Sequence, residues 1–343
     1  MPEASRQGKA ARLVSPKARS PERKSFPISL PSFISVFLGL EKITVGGQAV
    51  IEGVMMRSPT VVATAVRRPD GEISVRKTGF VSISKRKKLL GLPIIRGAVV
   101  LIETLALGIN ALTYSAEEAL REEEAGKIPE AGEKEGAKAK KTKEKTGAMT
   151  TAGMVGTIAI ALGLGFLLFF YFPLFVAEKV GVKSGFWFNL IDGTVRLVVF
   201  VLYIGLVGLW GEMRRLYQYH GAEHKSIFAF EAGEDLTVEN AMKHSTLHPR
   251  CGTSFFLMVV VVSLIVFIAL GRPESWAERG VRFLMVPVIA GVAFEFTRLS
   301  GKYSDSAFAS ALIKPGLWLQ KMTTREPASD QVEVALRALR EVL

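Results

Sequence analysis

The sequence predicts a mainly α-helical polytopic membrane protein, with about four transmembrane helices and a small N-terminal β unit. Long apolar runs dominate the chain beyond residue 150, and such runs indicate membrane helices rather than a soluble core. Residues 45–90 are instead rich in β-branched side chains and turn signals, which favour strands. All four histidines and the only cysteine fall within residues 214–254, a polar stretch between two apolar runs.

Composition and charge narrow the class of partner. The chain has 343 residues, is 49% hydrophobic and carries a formal net charge of +12. Basic residues beside membrane spans set orientation and contact anionic headgroups, so we predict the lipid bilayer, its anionic headgroups and other membrane proteins as partners, and no nucleic acid. A single cysteine excludes an intrachain disulfide.

The N-terminal part is predicted to be cytosolic. Residues 1–28 form a basic tail that has too few apolar side chains to fold alone. Residues 29–92 form a β-containing unit, although its apolar start, 29–40, is too short to span a bilayer. Within this unit, two β-branched runs flank Pro69-Asp70-Gly71 and predict a hairpin.

Residues 93–115 are ambiguous. The segment is apolar and about long enough to span a bilayer, but Arg96, Glu103 and Asn110 recur every seven residues and form one polar stripe on a helix. The helix either spans with its stripe inside a bundle or lies in the membrane interface with the stripe toward water. An even number of spans, with both termini on one side, favours the interface.

The remaining chain divides into three parts. These are a charged disordered linker (116–148), a membrane domain (149–304) with a cytosolic histidine-rich insert (212–253), and a cytosolic C-terminal segment (305–343). Four spans are predicted near 153–177, 195–210, 254–270 and 283–296. The basic residues of the insert and of the C-terminal segment place both, with both termini, in the cytosol. A final helix is predicted over 332–343, with Asp330 as its N-cap.

The histidine-rich insert has the spacing of a metal site. His220, Glu223 and His224 stand at positions i, i+3 and i+4 of a helix that continues the second span, so they share one face. The pattern His-x-x-Glu-His is the inverted zinc-protease motif, in which the histidines bind zinc and the glutamate acts as the base. This pattern predicts His220 and His224 as ligands and Glu223 as the catalytic residue.

A second pair of histidines follows. Thr237 is predicted to cap a helix on which His244 and His248 are again four residues apart, and antiparallel packing of the two helices would bring the pairs together. The alternative is that histidines at a membrane boundary only bond headgroups or backbone.

Several further residues are candidates around this site. Cys251 and Glu295 are additional candidate ligands, although Cys251 also suits a small packed residue and Glu295 an ion pair with Arg298. Three basic residues of the insert are candidates for orientation charges or for contact with headgroup phosphates. They are Arg214, Arg215 and Arg250.

Four motifs carry a resemblance to a known family. They are GGQAVIEGVMMRSP (46–59), YHGAEHKSIFAFEAGEDLTVENA (219–241), HPRCGTSF (248–255) and LQKMTTREP (319–327). In this order they resemble the DUF1385, or YqhQ-like, family of uncharacterised bacterial membrane proteins. The resemblance implies a multi-pass protein of the inner membrane and a metal-dependent enzyme, without an established reaction.

Two function hypotheses follow. The first is a cytosol-facing divalent metal site, with zinc as the predicted metal, in a hydrolase that acts on a peptide or a lipid-linked substrate. The second is a non-enzymatic membrane scaffold or assembly factor whose histidine-rich loop is structural. Transport is a weaker hypothesis, because the spans carry few polar residues beyond Glu295.

Overall fold

A computed structural model describes residues 44–125, 153, 156–157, 159–302 and 307–343, which lie in one compact unit. The predictions for residues 1–28, 29–40 and most of the linker lie outside this part. The predicted fold class is confirmed: the described chain is mainly helical, with five long apolar helices and a small four-stranded sheet.

The β unit is an antiparallel meander of four strands in sequential order. The strands are β1 (Gly46–Val50), β2 (Gly53–Arg57), β3 (Val61–Arg67) and β4 (Ile73–Gly79). The predicted hairpin is β3–β4, in which Arg67 pairs with Ile73 across the expected turn. Sequence reasoning did not identify the first hairpin, which turns tightly at Ile51 and Glu52, where Glu52 adopts a φ of 51°.

Eleven α-helices are described outside the sheet. They are α1 (Ile83–Arg86), α2 (Ile95–Ala125), α3 (Ala159–Val180, with a π-helical turn at Leu167–Tyr171), α4 (Gly185–Val207), α5 (Gly211–Glu231), α6 (Val238–Met242), α7 (Gly252–Leu270), α8 (Trp276–Leu284), α9 (Val286–Lys302), α10 (Ala307–Thr323) and α11 (Ser329–Val342).

Both faces of the sheet are buried. Successive side chains of a strand point to opposite faces, so Met55 packs against Ala111 and Tyr114 of α2, whereas Val54 and Met56 join a core with α5 and α11. The sheet, α5 and α11 therefore form one layered structure, in which the amphipathic α11 covers the sheet with buried side chains such as Leu336 and Leu339.

Five helices of the described chain are long and apolar enough to cross a membrane. They are Ile95–Ala119, Ala159–Val180, Gly185–Val207, Gly252–Leu270 and Trp276–Ser300. The last four correspond to the predicted spans, with two differences. The helix predicted near 195–210 begins at Gly185, ten residues earlier, because the buried polar residues Asn189 and Asp192 interrupt its apolar pattern. The span predicted near 283–296 extends over Trp276–Ser300.

The first of the five, within α2, is the ambiguous segment. Two of the three stripe residues bond inside the protein: Arg96 binds Glu295 of α9 through Nε and Nη2, and Glu103 accepts from Ser82 and from the backbone of Ile83. The third, Asn110, is exposed. The predicted ion pair of Glu295 with Arg298 is therefore replaced by one with Arg96, 199 residues away in sequence.

The C-terminal helix begins earlier than predicted. It starts at Ser329 with Ala328 as the N-cap, so the prediction of Asp330 as the cap is wrong, and Asp330 lies in the first turn. The backbone of Asp330 instead accepts from Arg67 of β3, which also binds Glu333. These contacts fix the start of the helix against the sheet.

The closest approach of α2 to the bundle requires glycine. A Cβ atom on Gly291 of α9 would lie 2.3 Å from the carbonyl oxygen of Ile94, the residue before α2. Gly291→Ala should therefore lower the free energy of unfolding by about 1–3 kcal/mol through overpacking, as measured by thermal unfolding in detergent. Gly280→Ala on α8 is the matched control, because no atom lies within 4 Å of its added Cβ. Equal transition temperatures for the two variants would contradict this packing.

Candidate metal centre

The first histidine pair lies on α5, as its spacing predicts. This helix does not continue the second span. The helix of that span ends at Val207, residues 208–210 are not helical, and α5 starts at Gly211. His224 is 1% exposed and Glu223 5% exposed, so the polar face of α5 points into the protein rather than toward water. A buried polar face requires partners, and other elements supply them.

The second histidine pair is not helical. Thr237 caps α6 as predicted, its side chain accepting from the backbone of Asn240, but α6 ends at Met242 after five residues. His244 and His248 follow in turns, so the expectation of a shared helical face is wrong. The two rings consequently point to different partners.

Cys251, rather than the second histidine pair, lies against His220 and His224. Cys251 is the N-cap of α7, and its Sγ lies 3.2 Å from Nε2 of His220. The ligand atoms of His220, His224 and Cys251 all lie within 4.8 Å of one another, and the rings of the two histidines are 4.5 Å apart. Cys251 is buried, as expected for a packed residue, and its sulfur faces His220. Its role as a metal ligand stays a prediction.

Backbone carbonyl groups orient both imidazole rings. Nδ1 of His220 lies 2.9 Å from the carbonyl oxygen of Thr323, and Nδ1 of His224 lies 2.5 Å from that of Thr246. A carbonyl oxygen only accepts, so each Nδ1 carries the proton and each Nε2 of a neutral ring presents a lone pair. Hydrogen bonds of this kind to the far nitrogen fix metal-binding histidines in proteins.

The far nitrogen of His224 is the least satisfied atom of the group. Its Nε2 is buried and lies near Cys251, but it forms no hydrogen bond of normal geometry within the described part of the chain. Burial lowers the pKa of His224 below its usual range, which keeps the ring neutral. A buried, neutral imidazole nitrogen without a donor is a ready ligand for a cation.

Glu223 lies between the histidines and the sheet. Burial raises the pKa of its carboxyl group, and the neighbouring His220 and His248, together with the backbone N–H of Gly47 on β1, oppose this shift. A Cβ on Gly47 would stand 3.1 Å from the Glu223 carboxyl carbon, so β1 approaches closely only because this residue is glycine. A carboxyl group with a raised pKa beside imidazole rings suits proton transfer.

The remaining histidines flank the group. His248 is buried with its ring 5.7 Å from that of His224, and its Nε2 faces Glu231 at 3.5 Å. The ring of His244 stacks on Phe228, and its Nε2 bonds Glu234 at 3.1 Å. The structure thus brings His248 beside the group and leaves His244 outside it.

The other predicted site residues do not contact the group formed by His220, His224 and Cys251. Glu295 lies on α9 and is bound to Arg96, away from the histidines. Arg215 binds Glu52 of the first hairpin, Arg250 binds Glu231, and Arg214 is exposed on α5. All three insert arginines are exposed, and Arg215 and Arg250 are in addition bound to glutamates of the protein.

Sequence reasoning missed the residues that hold the group in place. Gln320 of α10 brackets His248, accepting from its N–H and donating to its carbonyl oxygen, each at 2.8 Å. Buried Lys225 donates to the carbonyl oxygens of Met242 and His244 and so holds the turn that contains Thr246. The only sequence signal for these roles was that both residues belong to the long motifs that carry the family resemblance.

Gly221 allows the segments that contain Thr246 and Arg325 to approach α5 closely. A Cβ here would lie 2.1 Å from the carbonyl oxygen of Arg325 and 3.2 Å from the side chain of Thr246. Gly221→Ala should lower the free energy of unfolding by about 1–3 kcal/mol and increase labelling of the Cys251 thiol by a maleimide. Gly211→Ala, at an open position of the same helix, is the control. Wild-type stability and labelling in Gly221→Ala would contradict the assigned packing.

Comparison with known proteins places the chain in a family. The model of the family DUF1385, described as "Protein of unknown function", matches residues 92–343. The chain is also 34% identical over 306 residues to a Bacillus subtilis (strain 168) protein described as "Uncharacterized protein YqhQ", which covers 87% of this chain and 92% of that protein. No solved structure matches the chain. The two descriptions name no metal and no reaction. The chain belongs to the DUF1385 family.

Proposed function

We propose that this protein is a multi-pass membrane protein with a cytosol-facing metal site, in which His220, His224 and Cys251 are the protein ligands. The observation that carries the proposal is the orientation of both rings by the carbonyl groups of Thr323 and Thr246, which directs two imidazole nitrogens toward one sulfur. Relative to the sequence prediction, Cys251 takes the place of His244 and His248 as the third ligand.

The donor set fits zinc. Two imidazole nitrogens and one thiolate are ligands that Zn²⁺ prefers, and three protein ligands with an open fourth position are typical of catalytic rather than structural sites. Tetrahedral zinc holds its ligand atoms about 3.6 Å apart, so a group within 4.8 Å needs only small movements to enclose an ion.

The proposed activity is hydrolysis of a peptide or a lipid-linked substrate. When bound, zinc supplies a Lewis acid that polarises a carbonyl or phosphoryl oxygen and acidifies a bound water. Glu223 is the proposed proton acceptor and donor, since it is buried beside His220 and His248 with a raised pKa. The position of the site at the start of α7, an apolar candidate span, favours a substrate at the membrane surface.

The core shared by the sheet, α5 and α11 supports a cytosolic position for the site and for the C-terminus. These elements pack together and must lie on one side of the membrane. Two candidate spans separate α5 from α11, which agrees with this requirement. Three separate the sheet from α5, so one of the three must fail to cross.

The contacts of α2 indicate that it is the helix that does not cross. The chain leaves the sheet at Phe80, and the side chain of Ser82 then donates to Glu103 of α2. The chain reverses its direction at Ile94, which has a φ of 68°. Then α2 returns past Glu103 until Ala111 and Tyr114 pack on the sheet again. The segment 80–114 therefore begins and ends beside the sheet. This supports the predicted interfacial position of α2 and a total of four crossings.

The alternative function is a non-enzymatic scaffold or assembly factor. It is favoured by one observation: Lys225 and Gln320 already hold the histidine-rich loop through hydrogen bonds to its backbone. In this alternative the histidines only stabilise the loop, and replacing them changes stability or partner binding without a change in metal content.

Metal content separates the two functions. Protein purified without chelator should contain about one zinc per chain by elemental analysis, and His220→Ala, His224→Ala and Cys251→Ala should each lose most of it, since each removes one of three ligands. His244→Ala should keep the metal, because its ring bonds Glu234 outside the group. Glu223→Gln should also keep it, as expected for a residue that is not a ligand.

The controls make the result decisive. Thermal unfolding of each variant shows whether metal loss follows from removal of a ligand or from loss of the fold. Wild-type protein that is folded and free of metal, even after incubation with zinc, would contradict the metal site. Equal metal loss in His244→Ala and His224→Ala would contradict the choice of ligands.

A further inference from the structure

A second polar cluster lies inside the membrane bundle, remote from the histidines. It joins Asp192 and Arg196 of α4, Ser263 of α7 and Arg282 of α8. Along α7, Ser263 lies about 18 Å from Cys251 at 1.5 Å per residue, and Gly271, which accepts from Arg282, lies about 30 Å from it. The cluster therefore extends from the middle of the bundle toward the end opposite to the metal centre.

The charges in this cluster do not balance. Arg196 binds Asp192 at 2.9 Å and Ser263 at 3.1 Å, whereas Arg282 bonds only the neutral oxygens of Asn189 and Gly271. Both guanidinium groups also lie about 5 Å from the ring centre of Phe267, at 5.0 and 4.9 Å. Two buried cations thus share one carboxylate, an arrangement that is costly within a membrane unless an anion joins it.

Unsatisfied atoms point to the same conclusion. Arg282 is 3% exposed and its Nη1 has no hydrogen-bond partner among the described residues, and Asp192 is 1% exposed and its Oδ1 also has none. A buried donor and a buried acceptor without partners each cost about 1–3 kcal/mol. A ligand that offers one acceptor and one donor would satisfy both atoms.

A cavity of about 420 Å³ lies next to the cluster. It is lined by Glu178, Arg272, Pro273, Glu274 and Arg279. Arg279 is paired with Glu178 at 2.6 Å, whereas Arg272 donates to the neutral carbonyl oxygen of Val182. Arg272 follows Gly271, whose carbonyl oxygen accepts from Arg282, and Arg279 lies one helical turn before Arg282. Three arginines at the noncytosolic end of a bundle run against the usual distribution of positive charge in membrane proteins, which indicates a role other than orientation.

We infer that this arginine cluster binds a phosphate group from the face opposite to the metal centre. Guanidinium groups suit phosphate because their paired N–H donors match its oxygens. Arg272 supplies the donor at the entrance, and Arg282, with its unpartnered Nη1, supplies the inner donor. The free oxygen of Asp192 selects a phosphate that carries a P–OH or a neighbouring hydroxyl, as in inorganic phosphate or a phosphatidylglycerol headgroup. This inference does not depend on the metal.

Ligand-dependent thermal unfolding tests the site. In detergent, phosphatidylglycerol or inorganic phosphate should raise the transition temperature of the wild-type protein, because a ligand that binds only the folded state stabilises it. Arg282→Gln should weaken the apparent affinity at least about tenfold. Arg298→Gln, which removes an exposed arginine at the other end of α9, should bind as the wild type does. Stabilisation by the lipid alone identifies a headgroup site, and equal stabilisation by inorganic phosphate identifies a free phosphate site.

Two results would overturn the inference. One is a wild-type transition temperature that neither compound changes. The other is an Arg282→Gln protein that responds as the wild type does. If Arg282→Gln does not fold, Arg272→Gln replaces it, since Arg272 lines the cavity and is only partly buried, and an unchanged affinity in that variant would equally overturn the inference.

Discussion

The candidate site depends on two hydrogen bonds to backbone carbonyl groups. An imidazole ring on a helix surface can rotate, and a pair of histidines four residues apart does not by itself converge on a ligand. Here the carbonyl oxygens of Thr323 and Thr246 hold the Nδ1 atoms of His220 and His224, so the remaining nitrogens face Cys251. The two carbonyl groups come from segments far apart in sequence, so the arrangement depends on how the whole chain folds.

The elements around α5 support these two hydrogen bonds. The sheet packs on α5 and α11, and the chain just after α10 is joined to α5 by a hydrogen bond from the N–H of Arg325 to the carbonyl oxygen of Tyr217. Gly221 leaves space for the chain near Arg325, and Lys225 fixes the turn near Thr246. Gly47 brings β1 against Glu223. Four long sequence motifs, separated by up to hundreds of residues, thus meet around one group of three side chains.

The sequence predicted what depends on local periodicity. The helical spacing of His220, Glu223 and His224, the cap at Thr237 and the hairpin at Pro69–Gly71 follow from short-range rules, and all three are found. Apolar runs located four candidate spans for the same reason. Short-range rules do not predict contacts between distant segments. Such contacts depend on how the helices pack, and they include Cys251 with His220, Arg96 with Glu295, and the carbonyl group of Thr323 with His220. The second histidine pair is not helical because α6 has only five residues and ends before His244.

X-ray absorption spectroscopy of the zinc-loaded protein tests the central claim most directly, because it counts the atoms bound to the metal. The account predicts one sulfur at about 2.3 Å and two imidazole nitrogens at about 2.0–2.1 Å, with the sulfur contribution lost in Cys251→Ser. A coordination shell without sulfur, or one with four imidazole nitrogens, would contradict it.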